Sequence, residues 1–348
     1  MSMINGIQQV GIGTTDVHKS WEWYRKHFGF DVPVFDEAAD APLMSRYTGG
    51  EVQSRHAILA MNLNGGGGME IWQFTSRNPS EQPPFSLLRS GLLVACIKCQ
   101  NIAAAHKHLA RHGASEPSVS PCGEKNLTLT DPFGNPFLIK ETDYWFKKNH
   151  GNFGGIEGFI IGVSNMEASL RFYQSILEID EVVFDETRVF EDFDSLPDGD
   201  HQFRRVRLKP KQRNSGAFSE ILGDFFIELL QPVGVEPLAH NFKDRYWGDQ
   251  GYIHLCFDVN RLEVIGKRAQ HSGHPFTVDS GTAFDMGEAA GRFAYLEDPD
   301  GTLIELVETD RITLSKLFKW KLKLNDKRKQ RPLPRWFFSV LALSRVTD

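Results

Sequence analysis

The sequence predicts an α+β fold of four βαβββ modules, and three repeats predict it. Gln9–Asp16 runs into Ser20-Trp21-Glu22-Trp23-Tyr24, and Gly158–Asn165 runs into Ser169-Leu170-Arg171-Phe172-Tyr173 at the same spacing. Met69–Gln73 matches Ile227–Gln231. Asp131-Pro132-Phe133-Gly134 precedes the apolar run Phe137–Ile139, just as Asp298-Pro299-Asp300-Gly301 precedes Leu303–Leu306.

Each opening segment alternates like a half-buried strand, then meets Asp16 or Asn165, residues suited to cap a helix whose aromatic pair faces the core. Met69–Gln73 and Ile227–Gln231 read as strands. Asp-Pro-x-Gly is turn chemistry, because Pro fixes φ and Gly supplies positive φ. The strands Leu92–Cys99 and Tyr252–Val259 open the second and fourth modules, with helices expected near 102–112 and 261–271. Modules therefore start near residues 4, 91, 156 and 251. Two modules make a domain, giving domains at 1–146 and 153–310 and a tail at 311–348. The polar, glycine-bearing stretch Lys147–Asn152 is the expected link.

Composition sets the class. A chain of 348 residues that is 41% hydrophobic and 24% charged has ordinary globular make-up, which excludes a mainly disordered or fibrous protein. No apolar run is long enough to span a bilayer, and Met1–Gly6 lacks the features of a secretory signal, so a cytoplasmic protein is expected. Four cysteines do not make a disulfide scaffold. The net charge of −6 hides an asymmetry: residues 311–348 hold 11 basic and two acidic residues, the remainder 28 basic and 43 acidic. An acidic body is unsuited to nucleic acid, whose affinity rests on phosphate neutralisation.

The modules, and most specifically Asp298–Glu305, resemble the vicinal oxygen chelate superfamily of glyoxalase I, epimerases, extradiol dioxygenases and bleomycin-resistance proteins. The resemblance covers about 300 residues and implies two such domains, with metal ligands on the first and last strands of modules. The corresponding positions are Gln9 and Glu70, Val94 and Leu138, Gly158 and Glu228, and His254 and Glu305. If modules one and four share a site, the ligand set is Gln9, Glu70, His254 and Glu305, and modules two and three form an empty site. If modules three and four pair, Glu228 replaces Gln9 and Glu70. The first pairing is preferred because it gathers one complete set. The bland alternatives are an edge Gln, a hydrogen-bonded core His and turn-bonding carboxylates.

The resemblance further implies a metal-dependent isomerase or lyase of glyoxalase I or epimerase type, which removes a proton next to a carbonyl through a metal-chelated enediolate. Glu305 is the expected base, with Glu70 as ligand or second base. Zinc, nickel, cobalt or manganese suits this set better than iron, which the superfamily's dioxygenases hold with two His and one Glu. Gly13, Phe74 and Gln250 stand where glyoxalase I anchors glutathione, so a different small molecule is expected, with Arg46, Arg55, Arg204, Arg205 and Arg207 as anchors or as surface ion-pair partners. The competing classes are a non-catalytic, bleomycin-resistance-like binding protein and a non-haem iron dioxygenase.

Other segments read structurally. Cys96 and Cys99 lie at an odd offset on a strand and face opposite sides. Gly65–Gly68 reads as a hairpin turn, and His106, His108 and His112 as a solvated helix face. Asp185–Asp200 is a lid or a flexible surface loop. The tail, with Phe318–Leu324, Lys327–Arg331 and Pro334–Leu341, either lies on anionic lipid or docks on the acidic body, and docking is preferred.

Overall fold

The computed structural model describes residues 3–148, 151–212, 215–281, 284–285, 289–315 and 320–347. Asn149 and His150 of the expected link, and Phe318 of the tail, lie outside the described residues.

All four modules form. The first comprises strand Ile4–Gly13, helix Val17–Phe28 and strands Val32–Asp40, Ser54–Met61 and Gly68–Phe74. The second comprises Arg89–Cys99, helix Ile102–Leu109, Ser118–Val119, Lys125–Thr130 and Pro136–Glu141. The third comprises Phe153–Gly162, helix Met166–Ser175, Glu181–Arg188, Phe203–Lys209 and Phe226–Pro232. The fourth comprises Gly251–Val259, helix Leu262–His271, Val278–Asp279, Ala289–Glu297 and Leu303–Ser315. Asp16, Asn101 and Asn165 cap their helices by accepting a bond from the backbone N–H three residues on.

The strands build two curled, mixed sheets, and each sheet takes one module from each half of the chain. Modules one and four share a ten-stranded sheet, in which Ile4–Gly13 pairs antiparallel with Gly251–Val259. Modules two and three share a nine-stranded sheet, in which Arg89–Cys99 pairs antiparallel with Phe153–Gly162. Alternation divides the side chains between faces. Val10, Ile12, Met69 and Ile71 go to a common core under the helices, whereas Trp72, Phe74 and Tyr295 go to the concave side of the first sheet. Cys96 and Cys99 obey the same parity: Cys96 joins the concave cluster of the second sheet and Cys99 the common core.

Two contacts tie modules together. Tyr24 donates to Asp131 at 2.6 Å and Tyr173 to Asp298 at 2.9 Å, so each first helix is bonded to the Asp-Pro-x-Gly turn of the following module. The Gly65–Gly68 turn joins strands Ser54–Met61 and Gly68–Phe74 and crosses the second sheet backbone to backbone. Gly67 N donates to Ile156 O and Gly155 N to Gly65 O, both near 2.8 Å. A Cβ on Gly66 would lie 2.7 Å from Gly155 carbonyl carbon, so only glycine permits the crossing.

The tail docks. Leu324, Leu333, Phe337 and Phe338 are buried against Val32, Met61, Phe146, Ile221 and Leu222. Charge opposition assists: Lys329 pairs with Glu308 at 3.0 Å and also with Asp310, and Arg345 pairs with Asp31 at 3.2 Å. Among the described residues no helix is long and apolar enough to cross a membrane.

Two segments differ from expectation. Asp185–Asp200 is neither lid nor loose loop: its first residues belong to strand Glu181–Arg188, and Phe190, Phe193 and Leu196 turn inward and are buried. His108 and His112 do not form a solvated face. They are half-buried against His27, whose ring lies 5.4 and 4.3 Å from theirs.

Candidate metal centre

Strand register brings four polar side chains to the middle of the first sheet's concave face. Glu305, His254, Gln9 and Glu70 stand on four adjacent strands. Gly11 is the register partner of both His254 and Glu70, while Cys256 pairs with both Gln9 and Glu305. A Cβ on Gly11 would meet the His254 ring at 2.4–2.9 Å, so a glycine two residues after Gln9 makes room for the imidazole. Tyr295 Oη approaches His254 Nδ1 at 3.4 Å, the contact that orients the ring.

His254 Nε2 lies 3.0 Å from Glu305 Oε2 and 3.3 Å from Glu70 Oε2, and Gln9 Nε2 donates to that same Glu70 oxygen at 2.8 Å. Glu70, His254 and Glu305 thus offer three ligand atoms within 4.8 Å of one another. Gln9 Oε1, His254 Nε2 and Glu305 Oε2 are buried without a hydrogen bond of acceptable geometry. Buried polar atoms are costly when unpartnered. Glu70, His254 and Glu305 bring carboxylate oxygens and an imidazole nitrogen together, a donor set that fits a small divalent cation.

The electrostatics agree. Burial works against charge on His254, yet Glu305 and then Glu70 outweigh it and hold its pKa up to about 9. Burial pushes Glu70 upward, but His254, with a smaller contribution from Arg55, brings it below the usual carboxylate value. Two carboxylates facing one imidazole attract positive charge.

A cavity of about 350 Å³ opens over this cluster. Gln9, Glu70 and Glu305 line it together with Trp72, Trp247, Phe35 and Phe293, and Phe338 and Leu341 add residues of the tail. A second His/Asp cluster, His18, Asp36 and His56, lies on the opposite face of the same sheet. His56 Nε2 and Asp36 Oδ1 are 2.6 Å apart there, at the surface.

The second sheet has the same registers and no such site. Val94 and Glu228 both pair with Ile160, and Cys96 pairs with Leu138 and Gly158. Val94, Leu138, Gly158 and Glu228 therefore occupy the places of His254, Glu305, Gln9 and Glu70. Glu228 is not brought to His254. Its oxygens accept from Arg205 Nε and Arg207 Nε, each at 2.6 Å, and Arg205 continues to Asp192 at 2.8 Å. These guanidiniums lie 4.1 Å from the Phe193 ring and 4.2 Å from the Phe226 ring. Phe226 also fills the space beside Gly158.

Of the expected anchors, Arg204, Arg205 and Arg207 are paired with carboxylates. Arg46 is exposed beside Tyr47. Arg55 alone of the five lines the cavity. Sequence reasoning missed Gly11, Tyr295 and Trp247. Parity along the strands could have found the first two, since Gly11 shares a face with Gln9; Trp247 lies in a loop and carries no periodic signal.

Residues 6–139 and 155–306 match the Glyoxalase/Bleomycin resistance protein/Dioxygenase superfamily. No curated protein matches. Among solved structures, a putative dioxygenase from Bacillus subtilis is 13% identical with a TM-score of 0.57, covering 88% of this chain and 86% of its own. Glyoxalase I from Zea mays is 13% identical with a TM-score of 0.52, covering 87% of this chain and 92% of its own. At such identities the likeness is one of fold.

Proposed function

This chain belongs to the glyoxalase/bleomycin resistance protein/dioxygenase superfamily, and on that premise we propose that it is a metal-dependent isomerase or lyase of the glyoxalase I or epimerase type. Gln9, Glu70, His254 and Glu305 hold the cation. The observation that carries the reading is the convergence of Glu70, His254 and Glu305, whose ligand atoms lie within 4.8 Å of one another, with Gln9 bonded to Glu70 beside them. When bound, a divalent cation supplies a Lewis acid to two adjacent substrate oxygens and lowers the barrier to losing the neighbouring proton.

The protein's own residues do the rest. Glu305, which lines the cavity, takes the proton from the carbon beside the carbonyl and returns it to the same or the adjacent carbon. Glu70 flanks the opposite side, as ligand or as a second base. Tyr295 Oη, 3.4 Å from His254 Nδ1, accepts from that nitrogen when it carries the ring proton, the tautomer that leaves Nε2 free. The aromatic walls exclude water, so the negative charge that develops on the substrate meets fixed dipoles rather than solvent.

One His with two carboxylates is an oxygen-rich set that fits zinc, nickel, cobalt or manganese better than the two-His, one-carboxylate arrangement of iron oxygenases. Deuterium wash-in tests the reading. In D2O, nickel- or zinc-loaded protein should exchange the proton beside the carbonyl in at least one member of a panel of aryl 2-hydroxyketones and 2-oxoaldehyde hemithioacetals. Exchange should disappear in Glu305→Gln. A chain that binds metal and these compounds yet never exchanges a proton would be a ligand-holding protein instead.

A further inference from the structure

We propose that the outer face of the tail helix Arg335–Leu341 is a docking surface for a membrane rich in anionic lipid. Trp336 and Leu343, 64% and 71% exposed, are the two most exposed large apolar side chains among the described residues. They stand seven residues apart with Ser339 between them. All three therefore share one face of the helix and of the turn Ala342–Ser344 that continues it. Phe337 and Phe338 point the other way and are buried against the body. Docking of the tail thus uses one side of this helix and leaves an apolar side in water.

Charge names the occupant. Residues 327–347 hold six basic side chains and no acidic one. Lys147 Nζ donates to Ser339 Oγ at 2.8 Å, which puts an ammonium on the exposed face itself. Burial, then Arg345 and Arg335, push the Lys147 pKa below the ordinary lysine value, the mark of crowded cations. The body neutralises part of this charge: Arg345 pairs with Asp31 at 3.2 Å and Arg335 with Glu220 at 3.9 Å. Among the described residues the remaining ion pairs of this segment are those of Lys329. Lys327, Arg328 and Arg331 are left exposed without a carboxylate. Exposed Trp and Leu among unpaired cations suit a bilayer interface, where indole and alkyl groups enter the headgroup layer and guanidiniums meet phosphate. A second copy fits less well, because a two-fold contact would set this cationic face against itself. Outside residues 311–348 the chain holds 28 basic and 43 acidic residues, an opposite excess that turns the tail toward an anionic surface. Phe338 and Leu341 of the same helix line the cavity, so lipid on the outer side lies about 10 Å, one helix diameter, from the cavity wall.

Flotation of the full chain with vesicles tests the proposal. Wild type should float with vesicles of phosphatidylcholine and phosphatidylglycerol in equal parts, and not with phosphatidylcholine alone. Trp336→Ala should weaken binding about tenfold, and Arg328→Gln with Arg331→Gln about tenfold or more. Val119→Ala, which trims a side chain 59% exposed on the second sheet, should change nothing. Urea midpoints should match wild type throughout, since every one of these positions is exposed. Equal flotation with both vesicle types, flotation with neither, or binding indifferent to Trp336→Ala overturns the proposal. Self-association that Trp336→Ala removes, without vesicle binding, would overturn it in favour of a second copy.

Discussion

The two sheets of this protein share one register plan and opposite contents. In the first, a glycine clears space for His254, Gln9, Glu70 and Glu305 line a cavity, and Gln9, His254 and Glu305 each keep a buried polar atom unsatisfied. In the second, the equivalent places hold Val94, Leu138 and Gly158, and the one surviving carboxylate, Glu228, is clamped by two arginines under Phe190, Phe193 and Leu196. A βαβββ pair needs a filled concave face to be stable. It can be filled by its own side chains, or left open where something else binds. The difference lies in the partners: the carboxylates of the first cluster face an imidazole, whereas Glu228 is neutralised by Arg205 and Arg207.

The same substitution at equivalent positions puts that contrast under the most strain. Glu228→Gln leaves Arg205 and Arg207 buried without their shared carboxylate and should cost about 3–5 kcal/mol in urea unfolding. Glu70→Gln, in chelator-treated protein, gives up a charge that His254 attracts but leaves Glu305 as that imidazole's carboxylate partner, and should cost less, about 1–2 kcal/mol. Equal losses would break the distinction. Phe193→Ala removes a buried ring from the concave cluster of the second sheet and should cost about 3 kcal/mol or more through the cavity it leaves. It should create no second metal site, because Val94, Leu138 and Gly158 offer no side-chain donors. Gly11→Ala drives a methyl into the His254 ring, for which about 1–3 kcal/mol is expected, together with loss of tight metal binding.

The smallest effect concerns what the two halves share. Burial raises Asp131 and Asp298 each to about 6, against the opposing bonds from their tyrosine partners and neighbouring groups. The native state keeps protons that the unfolded chain gives up near pH 4, so this contribution to stability is full below about pH 4 and is lost as pH rises to about 6. Asp131→Asn and Asp298→Asn should each flatten the change in urea midpoint between those values, by similar amounts. A clear inequality would show that the two turns are not equivalent.

Much of this was legible in the sequence. Asp-Pro-x-Gly turns and alternating strands announce the modules. Gln9, Glu70, His254 and Glu305 stand out as polar residues at matched places in apolar strands, and Val94, Leu138 and Gly158 stand out as their absence. Inward folding was not legible. Phe190, Phe193 and Leu196 sit in an acidic stretch whose composition reads as solvated, and only the tertiary fold shows that the three apolar residues point one way. Arg205 and Arg207 share a face by strand parity, but that they meet Glu228 depends on the register of the neighbouring strand. The packing of His108 and His112 on His27 joins helices of different modules, a contact no local pattern encodes.

Elemental analysis of the full chain, loaded with zinc and then dialysed, tests the central claim most directly. One zinc per chain should remain in wild type and in Glu228→Gln, and none in His254→Ala or Glu305→Ala. Zinc-free wild type, or a His254→Ala protein that keeps its zinc, would contradict the account.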